Sequence, residues 1–142
     1  MPDTRHIRLE WSGTGLVFRG GLAEAGKPTL TMDGDGKEAP GPMVTLLLAC
    51  AACSGADVVE ILGKMRVDLT RLSIEVVGVR RDEMPRRYVS MHVRYHVAGR
   101  GLEQHHADRA VSLSLEKYCS AFASLAPDIA LTHEVVIGGG EG

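Results

Sequence analysis

The feature that most constrains this chain is a run with almost no polar side chains, MVTLLLACAAC, which begins at Met43. Beyond it, as far as about Met65, polar residues recur at helical spacing: Ser54, Asp57, Glu60 and Lys64. The pattern predicts one long helix over about 43–65, with Pro40 and Pro42 ending the preceding loop and opening the helix. A helix that is apolar all round at one end must be enclosed, so we expect it at the centre of the fold or of an oligomer interface.

Strand patterns flank this helix on both sides. The first 40 residues or so contain HIRLEWSGTGLVFRGG, typical of a hairpin, a third strand over Thr29 to Met32, and the loop DGDGKEAPGPM. After the helix, LSIEVVGVRRD and RYVSMHVRYHVAG predict a second hairpin that turns near Met84-Pro85. Its second strand alternates between Val89, Met91, Val93, Tyr95 and Val97 on one face and Ser90, His92, Arg94 and His96 on the other. One face should meet the core and the other water.

A second helix is predicted over about Glu103 to Leu125. Its apolar stripe has the i, i+3, i+4 spacing and comprises Ala107, Val111, Ser114, Leu115, Tyr118, Phe122 and Leu125. Pro127 ends it, IALTHEVVI predicts a last strand, and residues 138–142 predict a flexible tail. The fold class is α+β, and the length suits a single domain over 1–142.

Composition excludes several function classes. The 16 basic and 18 acidic residues are mixed along the chain and leave a net charge of −2, so we expect no nucleic-acid surface and no polybasic membrane anchor. The apolar run near 42–53 is shorter than the roughly 20 residues that span a bilayer, and the first residues lack the apolar core of a signal peptide. We therefore expect a cytoplasmic protein without membrane contact.

The three cysteines admit more than one interpretation from spacing alone. Cys53 and Cys119 fall toward the buried middle of two predicted helices, where a cysteine is commonly a small apolar filler. Cys50 and Cys53 form a CxxC, but it lies in mid-helix and lacks the further ligands of a zinc site. An odd count without export signals also argues against a stable disulfide framework. We expect no bound metal.

Two segments, GPMVTLLLACAACSGADVVEILGKMR and RAVSLSLEKYCSAFASL, resemble the OsmC/Ohr family, named for osmotically inducible protein C and organic hydroperoxide resistance. The first carries the family's run of small residues ending in a cysteine, here Cys53, followed by a helix of the type DVVEIL. The second carries the EKYCS element around Cys119. With the flanking strands, the resemblance covers nearly the whole chain, from Trp11 to Val136.

The resemblance implies an intertwined homodimer in which long central cysteine-bearing helices are wrapped by antiparallel sheets. It also implies a peroxidase that reduces organic hydroperoxides, a small-molecule substrate, with Cys53 as the peroxidatic thiol and Cys119 as the resolving one. Cys50 matches neither role and is expected to pack. No metal or organic cofactor is implied, and an external thiol or dithiol acts as reductant.

In the family an arginine from the N-terminal strand region supports the reactive thiolate, and Arg19 stands at about the matching place. Because burial disfavours a thiolate, such a cation is needed to keep it populated. Many peroxide-reducing members orient that arginine with a glutamate ten residues before the reactive cysteine, where this chain has Met43. Asp57 is expected to face solvent or a helix cap rather than to substitute for it.

The departure at Met43 keeps two alternatives open, because the chain looks closest to a less characterised branch of the family. The first is a non-catalytic protein that binds a small ligand in a hydrophobic pocket at the dimer interface. The second is a stress-induced dimer whose cysteines are purely structural. The identity of the electron donor, whether a lipoyl group, a small thiol or a protein dithiol, lies outside what the sequence specifies.

Overall fold

The computed structural model describes residues 3–138 and has a mixed α+β architecture. Its elements are β1 (Ile7–Trp11), β2 (Val17–Leu22), β3 (Thr29–Asp33), α1 (Pro42–Lys64), β4 (Asp68–Arg80), β5 (Tyr88–Arg100), α2 (Gln104–Leu113), a π-helical turn (Ser114–Tyr118), α3 (Ser120–Ala123) and β6 (Ala130–Ile137). The chain separates into two compact units, and their boundary falls between Leu46 and Leu47, inside α1.

The first unit is built on an antiparallel sheet of order β1-β2-β3, as the hairpin pattern predicts. The loop that follows β3 is organised by the buried carboxylate of Asp33, which accepts hydrogen bonds from the backbone amides of Asp35, Lys37 and Glu38 at 2.9–3.1 Å. These bonds, with that from Glu38 the strongest cause, lower the pKa of Asp33. The carboxylate of Asp33 thus pairs the backbone amides of this loop, which has no helix or strand of its own to pair them.

The second unit contains a sheet of order β4-β5-β6, in which β4 and β5 are antiparallel and β6 runs parallel to β5. The predicted hairpin at Met84-Pro85 and the last strand are confirmed. The alternation along β5 is confirmed as well: Met91, Val93, Tyr95 and Val97 are buried, whereas His92, Arg94 and His96 lie on the more exposed face. This buried face of β5 carries the core of the unit.

Helix α1 begins at Pro42, as predicted, and buries one face: Cys50, Ser54, Gly55, Val58 and Leu62. Gly55 allows a close approach to β4, because a Cβ atom there would lie 3.1 Å from Cδ1 of Ile74. The expectation that Ser54 belongs to a polar face is wrong, since its side chain is fully buried. The helix start is not enclosed within a single chain, for Val44 and Leu48 are 51% and 54% exposed.

By length and composition alone, α1 could cross a membrane, and it is the one helix within residues 3–138 with that property. The sequence estimate from residues 42–53 missed this because apolar residues continue through the second half of the helix. Its buried face, at i, i+4 and i+8 from Cys50 to Val58, is what a core helix of a water-soluble fold presents to its neighbours. Only 22% of its most apolar 18-residue window is buried in the single chain, so packing within the chain accounts for this face and not for the rest of the helix.

The prediction of one continuous second helix over about 103–125 is wrong. Helix α2 ends at Leu113, a π-helical turn follows, and Cys119 adopts an extended backbone (φ −73°, ψ 101°) before the short α3 begins. Periodicity misses the break because Ser114 and Phe122, on either side of it, are buried at a spacing that suits one helix, although the predicted stripe residue Tyr118 is 50% exposed and Cys119 is buried instead. The consequence is that Cys119 stands at a junction between helices.

Candidate active site

The three cysteines are all free thiols, but their surroundings differ. Cys50 is fully buried, which fits the packing role expected of it, and burial, followed by the nearby Cys53, raises its pKa. Cys53, one turn further along α1, is half-buried. Cys119 is 4% exposed. Of the three, Cys53 is the sulfur that a solute can reach most readily.

The fold brings the side chains of Cys53 and Cys119 into hydrogen-bond contact, although 66 positions separate them in the sequence. Desolvation by burial is the main cause that raises the pKa of Cys119, to about 11, while the backbone amide of Phe122 acts in the opposite direction. The hydrogen bond to Cys53 also raises the pKa of Cys119, which means that it favours the protonated form.

Local backbone structure explains how Cys119 reaches this position. Its amide donates a hydrogen bond to the carbonyl oxygen of Ser114 at 2.7 Å, which closes the π-helical turn. The extended residue then reverses the chain into α3, whose residue Ala123 donates back to the Cys119 carbonyl at 3.1 Å. π-helical turns are rare and are frequent at functional sites, because the inserted residue redirects a side chain.

Beside the two thiols lies a chain of polar side chains that the sequence analysis did not connect. The hydroxyl of Ser54 lies 2.7 Å from Tyr95 Oη and 2.8 Å from Ser114 Oγ, and Ser114 Oγ donates to Asp57 Oδ2 at 2.8 Å. The expectation that Asp57 faces solvent or caps a helix is wrong, because its carboxylate is half-buried and engaged by Ser114. No sequence pattern links residues from α1, β5 and the end of α2.

Arg19 lies in the first unit, on β2, with an exposed side chain whose Nε donates to Thr29 Oγ1 at 3.1 Å. The contact is a cross-strand neighbour bond within the β1-β2-β3 sheet. A catalytic role for Arg19 stays a prediction.

The histidines of β5 lie on its outer face and pair with acidic residues. His92 Nε2 lies 3.0 Å from Glu134 Oε1, and His96 Nε2 lies 3.0 Å from Glu75 Oε1. The hydrogen bond from His92 is the main cause that lowers the pKa of Glu134. Across residues 3–138, no three His, Cys, Asp or Glu side chains converge in a way that could hold a metal ion. The histidine face therefore reads as a solvated sheet surface, as expected.

An apolar cavity of about 320 Å³ opens in the second unit beside α3. It is lined by Met91, Phe122, Ala123, Leu125, Ala126, Pro127, Ile129 and Leu131. Phe122, whose amide acts on the Cys119 sulfur, forms part of its wall. The cavity suits a small apolar group close to the segment that carries Cys119.

Comparisons with known proteins agree on one family. The family model described as OsmC-like protein matches residues 34–134. Protein YhfA of Escherichia coli strain K12 is 39% identical over 127 residues, which cover 89% of this chain and 92% of YhfA.

Solved structures share the fold. A hypothetical protein from Aquifex aeolicus VF5 has a TM-score of 0.85 at 28% identity, covering 96% of this chain and 98% of its own. A protein from Legionella pneumophila described as an organic hydroperoxide resistance protein OsmC has a TM-score of 0.64 at 16% identity, covering 94% and 97%. At that identity the likeness concerns the fold alone.

Proposed function

The chain belongs to the OsmC-like family, and from this premise we propose that it is a thiol-dependent peroxidase that reduces organic hydroperoxides. The observation that carries the proposal is the hydrogen-bonded pair of free thiols, Cys53 and Cys119, held on separate segments of the second unit. Two thiols in contact supply the two electrons that reduction of one hydroperoxide requires. Solved structures that share the fold include proteins described as organic hydroperoxide resistance proteins.

In the first step Cys53 is the nucleophile. Its sulfur, as thiolate, attacks the terminal oxygen of the hydroperoxide, the O–O bond breaks, and the alkoxide leaves and takes up a proton as alcohol. Cys53 becomes a sulfenic acid. The assignment rests on exposure, since Cys53 is half-buried whereas Cys119 is 4% exposed.

In the second step Cys119 resolves the sulfenic acid. The Cys119 sulfur attacks the Cys53 sulfur, the S–O bond breaks, and the hydroxyl departs as water with the proton of the Cys119 thiol. The raised pKa of Cys119, about 11, keeps it protonated at neutral pH, so it holds the proton that the leaving hydroxyl needs. The products are an intramolecular disulfide and water.

An external thiol or dithiol then reduces the disulfide by exchange, and the cycle needs no metal or organic cofactor. Arg19 is the residue we propose to stabilise the thiolate and the developing alkoxide, as the matching arginine does in the family. We place this reaction in the cytoplasm, where dithiol reductants are maintained.

We also propose that the protein is a homodimer. The start of α1 exposes Val44 and Leu48, which share one helix face, and Leu46 on the opposite side, and apolar side chains exposed in this way require a cover. A second copy supplies one in an intertwined arrangement of central helices. Sedimentation over a range of concentrations should give twice the mass of one chain, and Leu48→Glu should shift the equilibrium toward the monomer.

The experiment that tests the activity is steady-state turnover with a dithiol reductant. Consumption of cumene or tert-butyl hydroperoxide should exceed that of hydrogen peroxide at equal concentration, because the cavity beside α3, whose wall includes Phe122, is lined by apolar side chains. An equal rate with no added protein, or with protein whose thiols are alkylated beforehand, would show that the protein does not catalyse the reaction.

A second candidate function is favoured by one observation, the apolar cavity of about 320 Å³ beside α3. Together with Met43 in place of the family's glutamate, it fits a protein that binds a small apolar ligand without reducing it. Native mass spectrometry of freshly purified protein separates the two. A bound small molecule, with thiols inert to hydroperoxide, would favour the binding function.

A further inference from the structure

A line of four polar side chains connects the two segments that carry the reactive thiols. Asp57 and Ser54 belong to α1, which bears Cys53; Ser114 begins the π-helical turn that ends at Cys119; and Tyr95 comes from β5. Ser54, Ser114 and Tyr95 are fully buried, and Asp57 is half-buried. The line therefore crosses from the partly exposed edge of α1 into the core.

Counting protons fixes the direction of each hydrogen bond. Ser114 has one hydroxyl proton, and it donates that proton to Asp57. In its bond with Ser54 it must therefore accept, so Ser54 is the donor. Ser54 has then used its own proton and must accept from Tyr95. All three hydroxyl protons point toward Asp57, whose carboxylate ends the line.

A buried line of this kind is costly unless every member is paired. A buried hydroxyl without a partner is destabilising, so the arrangement with all hydrogen bonds made is preferred over any shifted one. Without the Asp57 carboxylate, the Ser114 hydroxyl could point its proton elsewhere, and the directions of the other hydrogen bonds in the line would no longer be determined. Asp57 thus links the start of the π-helical turn to α1.

Ser114 also makes the backbone bond that places Cys119. Its carbonyl oxygen accepts the Cys119 amide at 2.7 Å, while its hydroxyl is held by Ser54 and Asp57. Cys53 directly precedes Ser54 and lies one helical turn before Asp57. Ser114 therefore connects the backbone that places Cys119 to the helix that carries Cys53.

We propose that Asp57 is a positioning residue for disulfide formation: through Ser114 it holds the π-helical turn so that the Cys119 thiol lies against the Cys53 sulfur. It contacts neither the hydroperoxide nor the leaving alcohol and acts on the resolving step, not on sulfenic acid formation. This inference rests on the proposed function for its place in a catalytic cycle. The contact between the two thiols, which the inference explains, is present in the protein without any peroxide.

The test compares Asp57→Ala and Asp57→Asn with a control, Glu60→Gln, an exposed acidic residue on the same helix. Two rates are measured for each: trapping of the Cys53 sulfenic acid after an organic hydroperoxide, and formation of the Cys53–Cys119 disulfide. Disulfide formation is also followed with diamide, which takes two electrons and two protons from a thiol pair and becomes a hydrazine. Peptide mapping identifies the bridged cysteines.

Asp57→Ala should slow disulfide formation about tenfold with either oxidant, because a small displacement of one thiol removes much of its proximity advantage. Sulfenic acid formation should stay within about twofold of the parent, so that more Cys53 proceeds to sulfinic acid. Asp57→Asn keeps an oxygen acceptor for Ser114 and should restore most of the disulfide rate. Glu60→Gln should match the parent.

Three results would overturn the inference. The first is a parental disulfide rate in Asp57→Ala. The second is equal slowing in Asp57→Ala and Asp57→Asn, which would assign the effect to charge and not to the hydrogen bond. The third concerns the case in which Asp57→Ala does not fold, as shown by loss of its thermal unfolding transition. Ser114→Ala removes the same hydrogen bond from the other side, and a folded Ser114→Ala with the parental disulfide rate would then overturn the inference.

Failure of the proposed function has a different signature. If the parent forms no sulfenic acid with organic hydroperoxides, the peroxidase proposal fails. The diamide comparison still stands, and a slower bridge in Asp57→Ala than in Asp57→Asn then supports positioning of the thiol pair by itself.

Discussion

The two cysteines of the candidate site occupy contrasting structures. Cys53 lies within an uninterrupted helix of 23 residues and is half-buried, whereas Cys119 lies at a break between a π-helical turn and a four-residue helix and is enclosed. A half-buried thiol on a continuous helix is suited to meeting a substrate. An enclosed thiol on a chain reversal is suited to meeting another thiol. The comparison shows that a continuous helix gives a substrate access to Cys53, whereas a break between helices brings Cys119 into contact with Cys53.

The largest expected effect comes from removing the thiol on the rigid helix. Cys53→Ser should lower hydroperoxide turnover by more than about two orders of magnitude, because a hydroxyl is a far weaker nucleophile. Cys50→Ala, on the same helix and fully buried, is the matched control and should keep turnover within about threefold. Turnover is measured with a dithiol reductant. Parental activity in Cys53→Ser would show that Cys53 is not the nucleophile and does not differ in this respect from Cys50.

Removing the thiol at the helix break should stop the cycle without stopping its first step. Cys119→Ser should consume about one equivalent of hydroperoxide per chain and then stall, because the sulfenic acid at Cys53 has no resolving partner in the molecule. Intact-mass analysis would find one or more added oxygen atoms on Cys53 and no bridge. Undiminished cycling with a dithiol that cannot reach Cys53 directly would contradict the two-thiol account.

Arg19 tests whether the first unit contributes to a reaction whose thiols lie in the second. Arg19→Ala should lower the rate of sulfenic acid formation roughly 10- to 100-fold if its charge stabilises the thiolate and the alkoxide. Arg8→Ala, an exposed arginine on β1, is the matched control and should have the parental rate. Equal rates for both variants would assign Arg19 to the surface of the sheet.

A smaller effect, on the free energy of unfolding, is expected from the line of hydrogen-bonded side chains that runs from Tyr95 to Asp57. Tyr95→Phe removes a buried hydrogen bond and should lower the free energy of unfolding by about 1 kcal/mol. The Phe ring still fills the space of the Tyr ring. Chemical denaturation measures the change, and an unchanged or higher stability would show that the line does not hold the core in one arrangement.

The same line predicts a pH dependence at alkaline values. Burial is the main cause that raises the pKa of Cys119 from 9.0 to about 11 and that of Tyr95 from 10.0 to about 12. Above the lower value of each pair, the unfolded chain loses a proton that the folded chain keeps, so stability falls as pH rises. Tyr95→Phe should flatten the fall above pH 10.0. Thermal melting between pH 9.0 and about 11 measures it, and identical slopes for parent and variant would contradict it.

Sequence periodicity predicted those parts of the fold that depend on neighbours in the chain. The alternation along β5 and the start of α1 at Pro42 follow from local rules and are confirmed. The break at Cys119 does not follow, because Ser114 and Phe122 on either side of it still have the spacing of one buried helix face. The polarity of Ser54 placed it on a water-facing side, whereas partners 41 and 60 positions away satisfy it inside the core.

The candidate site shows the same division. Resemblance to a family identified Cys53 and Cys119, and the structure shows these two side chains in contact. Neither resemblance nor spacing indicated Asp57 and Ser114, because the hydrogen bond that joins them links residues 57 positions apart. Polar groups that meet only after folding are identified from the packed structure.

The central claim, that Cys53 and Cys119 form one redox pair, is tested most directly by a thiol count. One equivalent of an organic hydroperoxide is added to the reduced protein, free thiols are counted, and peptides are mapped. The account predicts loss of two of the three thiols and a single bridge between Cys53 and Cys119. Retention of all three thiols, under conditions in which small thiols are oxidised, would contradict it.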